Sequence, residues 1–348
     1  MLAYIVLFLL ILCIMFLKST KGDSYLCGIS ACNCFSMIIF VIFYSIRYEI
    51  GYDYVTYISL ITYECHTIFL LKMEYLSYLF MEIANQVGMP QIFFMLMAVF
   101  SIPFIFYSLD AYRETRCSWS WGILLFLSFP FGFIYSLSFS RQFAAVAILF
   151  FGTKYLIKRR LLKYCVCVSI ASLFHISSLA SMFAYLVTSE KFKYKYLIYI
   201  FICLFLTFFS LKTLLVYIFP EYEAYMSFSI NENQDGLSQV VLYTLTGMLF
   251  AIVKPYLNKY KYYNMYLKLY LFGLVLNYSF LLFSPTMGIR LAISSYVYAL
   301  FLIGYFFQAF STRDRLFLKF IGIIFMFILY MYGLNIAGDT YLPYKTIF

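Results

Sequence analysis

Apolar stretches of about 17 to 25 residues recur along almost the whole chain, and each is long enough to cross a hydrocarbon layer as a helix. The pattern predicts spans at 1–17, 25–46, 90–109, 119–136, 141–157, 164–187, 197–219, 239–257, 265–283, 291–310 and 316–337. Two connections are longer than a turn. Residues 47–89 mix apolar and aromatic residues with charges, as from Tyr63 to Met89, and predict amphipathic helices lying in the membrane interface. Residues 220–238 form an acidic loop with Glu221, Glu223, Glu232 and Asp235. No internal repeat is visible. The chain reads as an all-α polytopic integral membrane protein of about ten or eleven spans, forming one membrane domain over 1–348.

Composition supports this. Of 348 residues, 65% are hydrophobic and 11% charged, whereas a soluble domain carries about 25% charged residues. No soluble core could absorb that excess. Residues 1–17 lack a basic n-region and run into Lys18, Ser19, Thr20 and Lys21 without a small-x-small cleavage site, so a retained first span is expected. The nine cysteines lie mostly inside apolar segments without metal-ligand spacing beside histidines, so no zinc site, disulfide framework or cofactor is predicted. The net charge of +10 would suggest nucleic acid in a soluble protein. Here the Lys and Arg residues sit in short loops between spans, where positive-inside bias accounts for them, and a nucleic-acid role is excluded.

The same bias sets orientation. Lys18 with Lys21, Arg113 with Arg116, and the cluster Lys154, Lys158, Arg159, Arg160 and Lys163 are mutually consistent on the cytoplasmic side. That places 47–89 and the 136–141 turn outside, and Lys254, Lys259, Lys261, Arg313 and Arg315 are again inside if the 220–238 loop is outside, which puts the tail from Gly338 outside as well. One segment conflicts. Lys158 to Lys163 and Lys191, Lys193 and Lys195 all look cytoplasmic, although a single apolar stretch separates them. Either the second cluster is an exception, or residues 164–187 enter and return as two half-helices broken near His175, Ser177 and Ser178. Such a break is tolerated only where protein or a water-filled cavity surrounds it.

Three arginines stand on the outer side, where topology offers no reason for them: Arg47, Arg141 and Arg290. A guanidinium at headgroup depth can fork onto phosphate oxygens, or it can snorkel to lipid or pair with a carboxylate. Beside Arg47, Glu49 and Asp53 are spaced i, i+4 and share a face if helical, although Gly51 makes a turn equally admissible. These carboxylates either orient or deprotonate a sugar hydroxyl or only pair with the arginines. Glu74 in Lys72-Met73-Glu74-Tyr75 is less specific. His175, one of two histidines, lies in an apolar stretch, where an ionisable group is costly and faces a cavity or a partner. His66 is given no role. There is no Walker sequence, dinucleotide fingerprint or Asp-x-Asp element, so a lipid-carried donor fits better than a nucleotide sugar.

In order, the landmarks are Arg47 with Gly51-Tyr52-Asp53-Tyr54, Glu74, Arg141-Gln142-Phe143-Ala144, Phe174-His175-x-Ser177, Arg290, and Tyr341-Leu342-Pro343-Tyr344-Lys345. In that order the chain resembles the EpsG-type branch of the Wzy polymerases of O-antigen, capsule and exopolysaccharide. It departs in having Ser178 after the His-x-Ser element and a less Gly-rich tenth span. The resemblance implies a GT-C-like arrangement of helices in the bacterial cytoplasmic membrane. It also implies an enzyme that transfers a growing glycan from polyprenyl diphosphate to the next lipid-linked oligosaccharide repeat at the outer face. On this reading Arg141, Arg290 and Arg47 hold the diphosphate, Gln142 and Tyr344 touch substrate, and the base is one of His175, Asp53, Glu49 and Glu74. The bilayer, a chain-length regulator and a flippase of the same pathway are the implied partners. Two other readings stay open: a flippase for lipid-linked sugar, although no related halves are visible, and a membrane O-acetyltransferase of the polysaccharide.

Overall fold

A backbone in hydrocarbon must satisfy its own hydrogen bonds, and this chain does so almost entirely as helix. The computed structural model describes residues 1–20, 25–26, 29–111, 120–129, 132–218, 234–281, 285–336 and 338–347. Lys21, Arg113, Arg116, Glu221, Glu223 and Glu232 lie outside the described residues. Helices α1 (Leu2–Thr20) and α2 (Ala31–Ser45) flank a small antiparallel pair, β1 (Tyr25–Leu26) and β2 (Ile29–Ser30). Ser30 caps α2 by accepting the Asn33 N–H through its hydroxyl, and its own N–H donates to Asp110 at 2.8 Å. The expected interfacial segment folds as α3 (Tyr54–Thr62), α4 (Ile68–Leu71) and α5 (Tyr75–Gln86).

The middle of the chain forms α6 (Gln91–Ala111), α7 (Ser120–Ser128), α8 (Phe133–Ser138), α9 (Ser140–Phe151), α10 (Thr153–Ile157) and α11 (Leu161–Ser172). A 3-10 stretch at Ile176–Phe183 continues into α12 (Ala184–Val187). The second half comprises α13 (Lys195–Ile218), α14 (Gln234–Leu257), α15 (Tyr263–Leu281), α16 (Pro285–Tyr296), α17 (Ala299–Phe306), α18 (Thr312–Ile336) and α19 (Gly338–Tyr341). The end of the acidic loop expected at 220–238 is therefore helical from Gln234.

Among the described residues three helices are long and apolar enough to cross alone: Gln91–Ala111, Leu237–Leu257 and Thr312–Asn335. Met287–Tyr296 and Ala299–Ala309, bent by 50°, add a fourth as one broken span. Of the other expected spans, 1–17, 197–219 and 265–283 correspond to the unbroken helices α1, α13 and α15, while 119–136 is divided into α7 and α8 and 141–157 into α9 and α10. Apolarity over a stretch sets where chain can sit in lipid but not whether it stays one rod, so some expected spans are broken among the described residues. Burial separates centre from rim. Every residue of α7 is buried, whereas α18 is buried over only 11% of its crossing window and turns its surface outward.

Polar side chains inside these helices are satisfied locally. Ser101, Ser108, Ser128 and Ser279 each donate to the carbonyl one turn earlier, at 2.6 to 2.8 Å. The α15–α16 pair packs closely through Gly288, where a Cβ would come within 2.7 Å of the Asn277 carbonyl oxygen.

Residues 164–187 fold as a hairpin, the geometry expected of two half-helices. α11 ends at Leu173, His175 is extended at φ −156°, and the 3-10 stretch runs back along α11. Tyr164 donates to the Ser181 carbonyl at 2.9 Å. At the open ends, the Arg159 guanidinium donates to the Tyr185 carbonyl and the Thr188 hydroxyl, both at 2.9 Å, while the Tyr185 hydroxyl donates to the Arg159 carbonyl. Both basic clusters thus lie at one end of the molecule, and His175 lies at the tip.

Candidate active site

The tip of the hairpin is held by the start of α5. A helix N-terminus leaves N–H groups without intrahelical partners, and a helix C-terminus leaves carbonyls. Here the two ends satisfy each other. Leu76 N–H donates to the Leu173 carbonyl at 3.0 Å, and the Ser77 hydroxyl donates to the Phe174 carbonyl at 2.8 Å. Glu74 sits at the N-cap position of α5 without capping it. Its carboxylate is therefore available elsewhere.

That carboxylate is the anchor of the site. Oε1 accepts from His175 Nδ1 at 2.8 Å and from the Ile176 N–H at 3.2 Å, and Oε2 forms an ion pair with Arg141. Glu74 is 1% exposed. Burial pulls its pKa upward, but the His175 hydrogen bond and the Arg141 charge outweigh burial and hold it below the ordinary carboxylate value. Because an ionised carboxylate only accepts, Nδ1 carries the proton and Nε2 of a neutral His175 is left as the acceptor.

From Arg141 the network continues outward. Its guanidinium lies 4.2 Å from the Phe69 ring centroid, and Nε donates to the Tyr57 hydroxyl at 3.3 Å. Tyr57 in turn points its hydroxyl at Asp53 Oδ2, 3.5 Å away. Burial raises the Asp53 pKa, and the charges of Arg290 and Arg141 offset only part of that rise. Burial likewise pushes Tyr57 up to about 12. Arg290 enters from α16, with its guanidinium 5.3 Å from the Phe139 ring and its main-chain carbonyl accepting from Gln142. It lines a cleft with Gln142, Ser177, Ser178 and Ser294. Arg290 Nε and Ser178 Oγ have no hydrogen-bond partner among the described residues. The cleft is small, about 10 Å³, and Ala145, Val146, Leu149 and Ile293 complete its lining.

Five expected site residues, Glu74, His175, Arg141, Asp53 and Arg290, thus share one end of the fold. Three others, Arg47, Glu49 and Tyr344, stand apart, and Gln142 supports Arg290. Arg47 is 0% exposed, sandwiched 3.9 Å from the Tyr44 ring and 4.6 Å from the Phe94 ring, and donates to Ser140 Oγ at 3.1 Å. It lies inside the packing rather than at the open depth of the other two arginines. Glu49 pairs with Lys345 at 2.6 Å, outside the network. It does not share a helical face with Asp53, because Glu49 (φ 53°) and Gly51 (φ 106°) make a turn. Gly51 is required there, since a Cβ would lie 2.1 Å from the Leu137 carbonyl oxygen. Tyr344 packs on Phe43 and donates to its carbonyl, fixing the tail that pairs with residues 46–48. Gln142 has both halves of its amide committed, to the Arg290 carbonyl and the Tyr135 hydroxyl, and positions Arg290.

Tyr57 and Phe69 are the functional neighbours that sequence reasoning missed. Tyr57 was within reach, being one turn after Asp53; nothing in the sequence marks Phe69. His66, given no role, meets Glu82 at 2.8 Å and ties the turn after α3 to α5.

Fold and site together define a polytopic helical membrane protein with a charged network closed over the tip of a hairpin. The chain belongs to the EpsG family, which matches residues 30–346. That membership carries polysaccharide biosynthesis and a polymerase of the glycosyltransferase type as the coarse function. No match was found among the curated proteins or among the solved structures.

Proposed function

We propose that this protein is a Wzy-type repeat-unit polymerase of the bacterial cytoplasmic membrane, transferring the growing glycan from polyprenyl diphosphate onto the next lipid-linked oligosaccharide at the outer face. The observation that carries this reading is the convergence of Asp53, Glu74, Arg141, His175 and Arg290, from separate segments, at one end of the fold. The acceptor hydroxyl oxygen forms a bond to the anomeric carbon of the donor sugar while the bond from that carbon to the diphosphate oxygen breaks. The diphosphate leaves with the electron pair, and the acceptor proton goes to a base.

Arg141 and Arg290 are placed to meet the developing negative charge, and Arg141 is fixed by Glu74 and Tyr57 before substrate arrives. Asp53 is the base: it is half-buried, only weakly engaged by Tyr57, and raised by burial toward the working pH. Glu74 is saturated and sealed, so its part is to hold Arg141 and His175 in place. His175 Nε2 is left to accept from a sugar hydroxyl.

The test is Arg141→Lys and Arg290→Lys, each with protein amounts confirmed by blotting. Lysine keeps the charge and loses the planar fork. Losing one charge-assisted contact of about 1.5 to 3 kcal/mol in the transition state slows transfer about ten-fold to a hundred-fold. Surface polysaccharide then shifts from long ladders to single repeats. Normal ladders with lysine at both positions remove the arginines from the site. Deleting the gene separates the classes: single-repeat caps mark a polymerase, absent polysaccharide a flippase, and unchanged ladders an acetyltransferase.

A further inference from the structure

At the open ends of the hairpin, a cavity of about 590 Å³ is lined by Thr188, Glu190, Phe192, Lys193, Tyr194, Lys254, Asn258, Lys261, Asn264, Met265 and Lys268. α11 has 12 residues, so about 18 Å of helical rise separates this region from the tip that carries His175. α13 and α14 both pack on α15 around it. We infer that this cavity binds the phosphate headgroup of an anionic phospholipid, a site distinct from the active site and independent of the reading given above.

The lining brings four lysines against one carboxylate, that of Glu190. Lys254 and Lys268 are half-buried, which is costly for neighbouring ammonium groups without a counter-ion. Neutral protein groups sit beside both of these half-buried lysines. Lys254 Nζ lies 3.9 Å from the centroid of the Tyr194 ring, and Lys268 donates to the Ser189 carbonyl at 3.1 Å. An anion seated between them relieves the repulsion, and the amides of Asn258 and Asn264 add neutral donors beside it.

Three features select a lipid phosphate over a soluble anion. The cations are all lysine, flexible point charges suited to a mobile headgroup rather than to a rigid bidentate fit. Both flanking helices carry exposed apolar side chains, Ile198, Tyr199 and Ile202 on α13 and Ile252 and Tyr256 on α14, which offer acyl chains a wall. The basic loops collected at this end mark it as the face toward the cytoplasmic leaflet, where anionic lipid is concentrated.

The full-length protein, delipidated in detergent, is titrated with phosphatidylglycerol and with phosphatidylcholine and read by native mass spectrometry. Phosphatidylglycerol is retained preferentially. Lys193→Gln and Lys261→Gln, both exposed side chains whose loss does not endanger folding, each weaken retention about five-fold, and together about twenty-five-fold. Lys259→Gln, a neighbouring exposed lysine outside the lining, leaves retention unchanged, as does Arg290→Lys at the active site. Equal retention of the two lipids overturns the proposal, and so does an equal loss in Lys259→Gln. Inorganic phosphate binding as tightly as phosphatidylglycerol assigns the cavity to a soluble anion and overturns it as well.

Discussion

The two ends of the 161–187 hairpin gather positive charge in opposite ways. At the tip, Arg141 and His175 share the Glu74 carboxylate, and the network runs on through Tyr57 to Asp53. At the open ends, four lysines and one glutamate line a cavity, and Lys254 and Lys268 meet a ring and a carbonyl. What separates these regions most is how their cations are paired. Charges locked by hydrogen bonds before a ligand arrives need no reorganisation when charge develops in a reaction, which is what transition-state stabilisation requires. Long lysine stems around an open cavity adapt to whatever anion enters, which suits binding and not chemistry.

The largest effect on this contrast comes from removing the anchor. Glu74→Gln leaves Arg141 and His175 buried without their carboxylate, and breaking such a pair costs about 3 to 5 kcal/mol. Less folded protein in the membrane and no polymer are expected, by blotting and by a thermal-shift assay in detergent. Normal amounts with normal ladders mean that Glu74 does not organise the tip.

Acidification sharpens the contrast in two stages. Asp53 must be ionised to act as the base, and its raised pKa moves the loss of activity above the ordinary aspartate value of about 3.9. Glu74 is shifted the other way. Its contribution to stability is fully present above the ordinary glutamate value of about 4.3 and is lost as pH falls through its lower folded value. Purified enzyme assayed across pH therefore inactivates while still folded, and unfolds only at lower pH. Asp53→Asn abolishes the first stage along with the activity. Simultaneous inactivation and unfolding removes Asp53 from the role of base.

Arg47 supplies the smallest expected effect. It is sealed between Tyr44 and Phe94 with Nε and Nη1 lacking hydrogen-bond partners among the described residues. Arg47→Met replaces it with an apolar chain of similar length, so stability changes by no more than about 1.5 kcal/mol and ladders persist. Loss of polymer at unchanged protein amounts returns Arg47 to the site.

Much of the site was legible because charge in an apolar sequence is conspicuous. Glu74, Arg141, His175 and Arg290 could be picked out singly, since each is expensive to keep in or near lipid. Their grouping was not legible, and neither was the division between Arg141 and Arg47, which look alike as outward arginines. Glu49 and Asp53 show why. A spacing of four implies a shared face only if the backbone is helical, and the positive φ values at Glu49 and Gly51 turn the two carboxylates apart.

The sequence by itself determined that this chain lives in a membrane as helices, and its two conflicting basic clusters left open either a plain span or a broken one at 164–187. Both follow from transfer energetics, which depend on residue type and run length alone. Only the tertiary structure decided which apolar runs break, which arginine is enclosed, and which carboxylate anchors the network. Those outcomes depend on contacts between residues far apart in the chain, as between Glu74 and His175, 101 positions apart, and no local pattern encodes them.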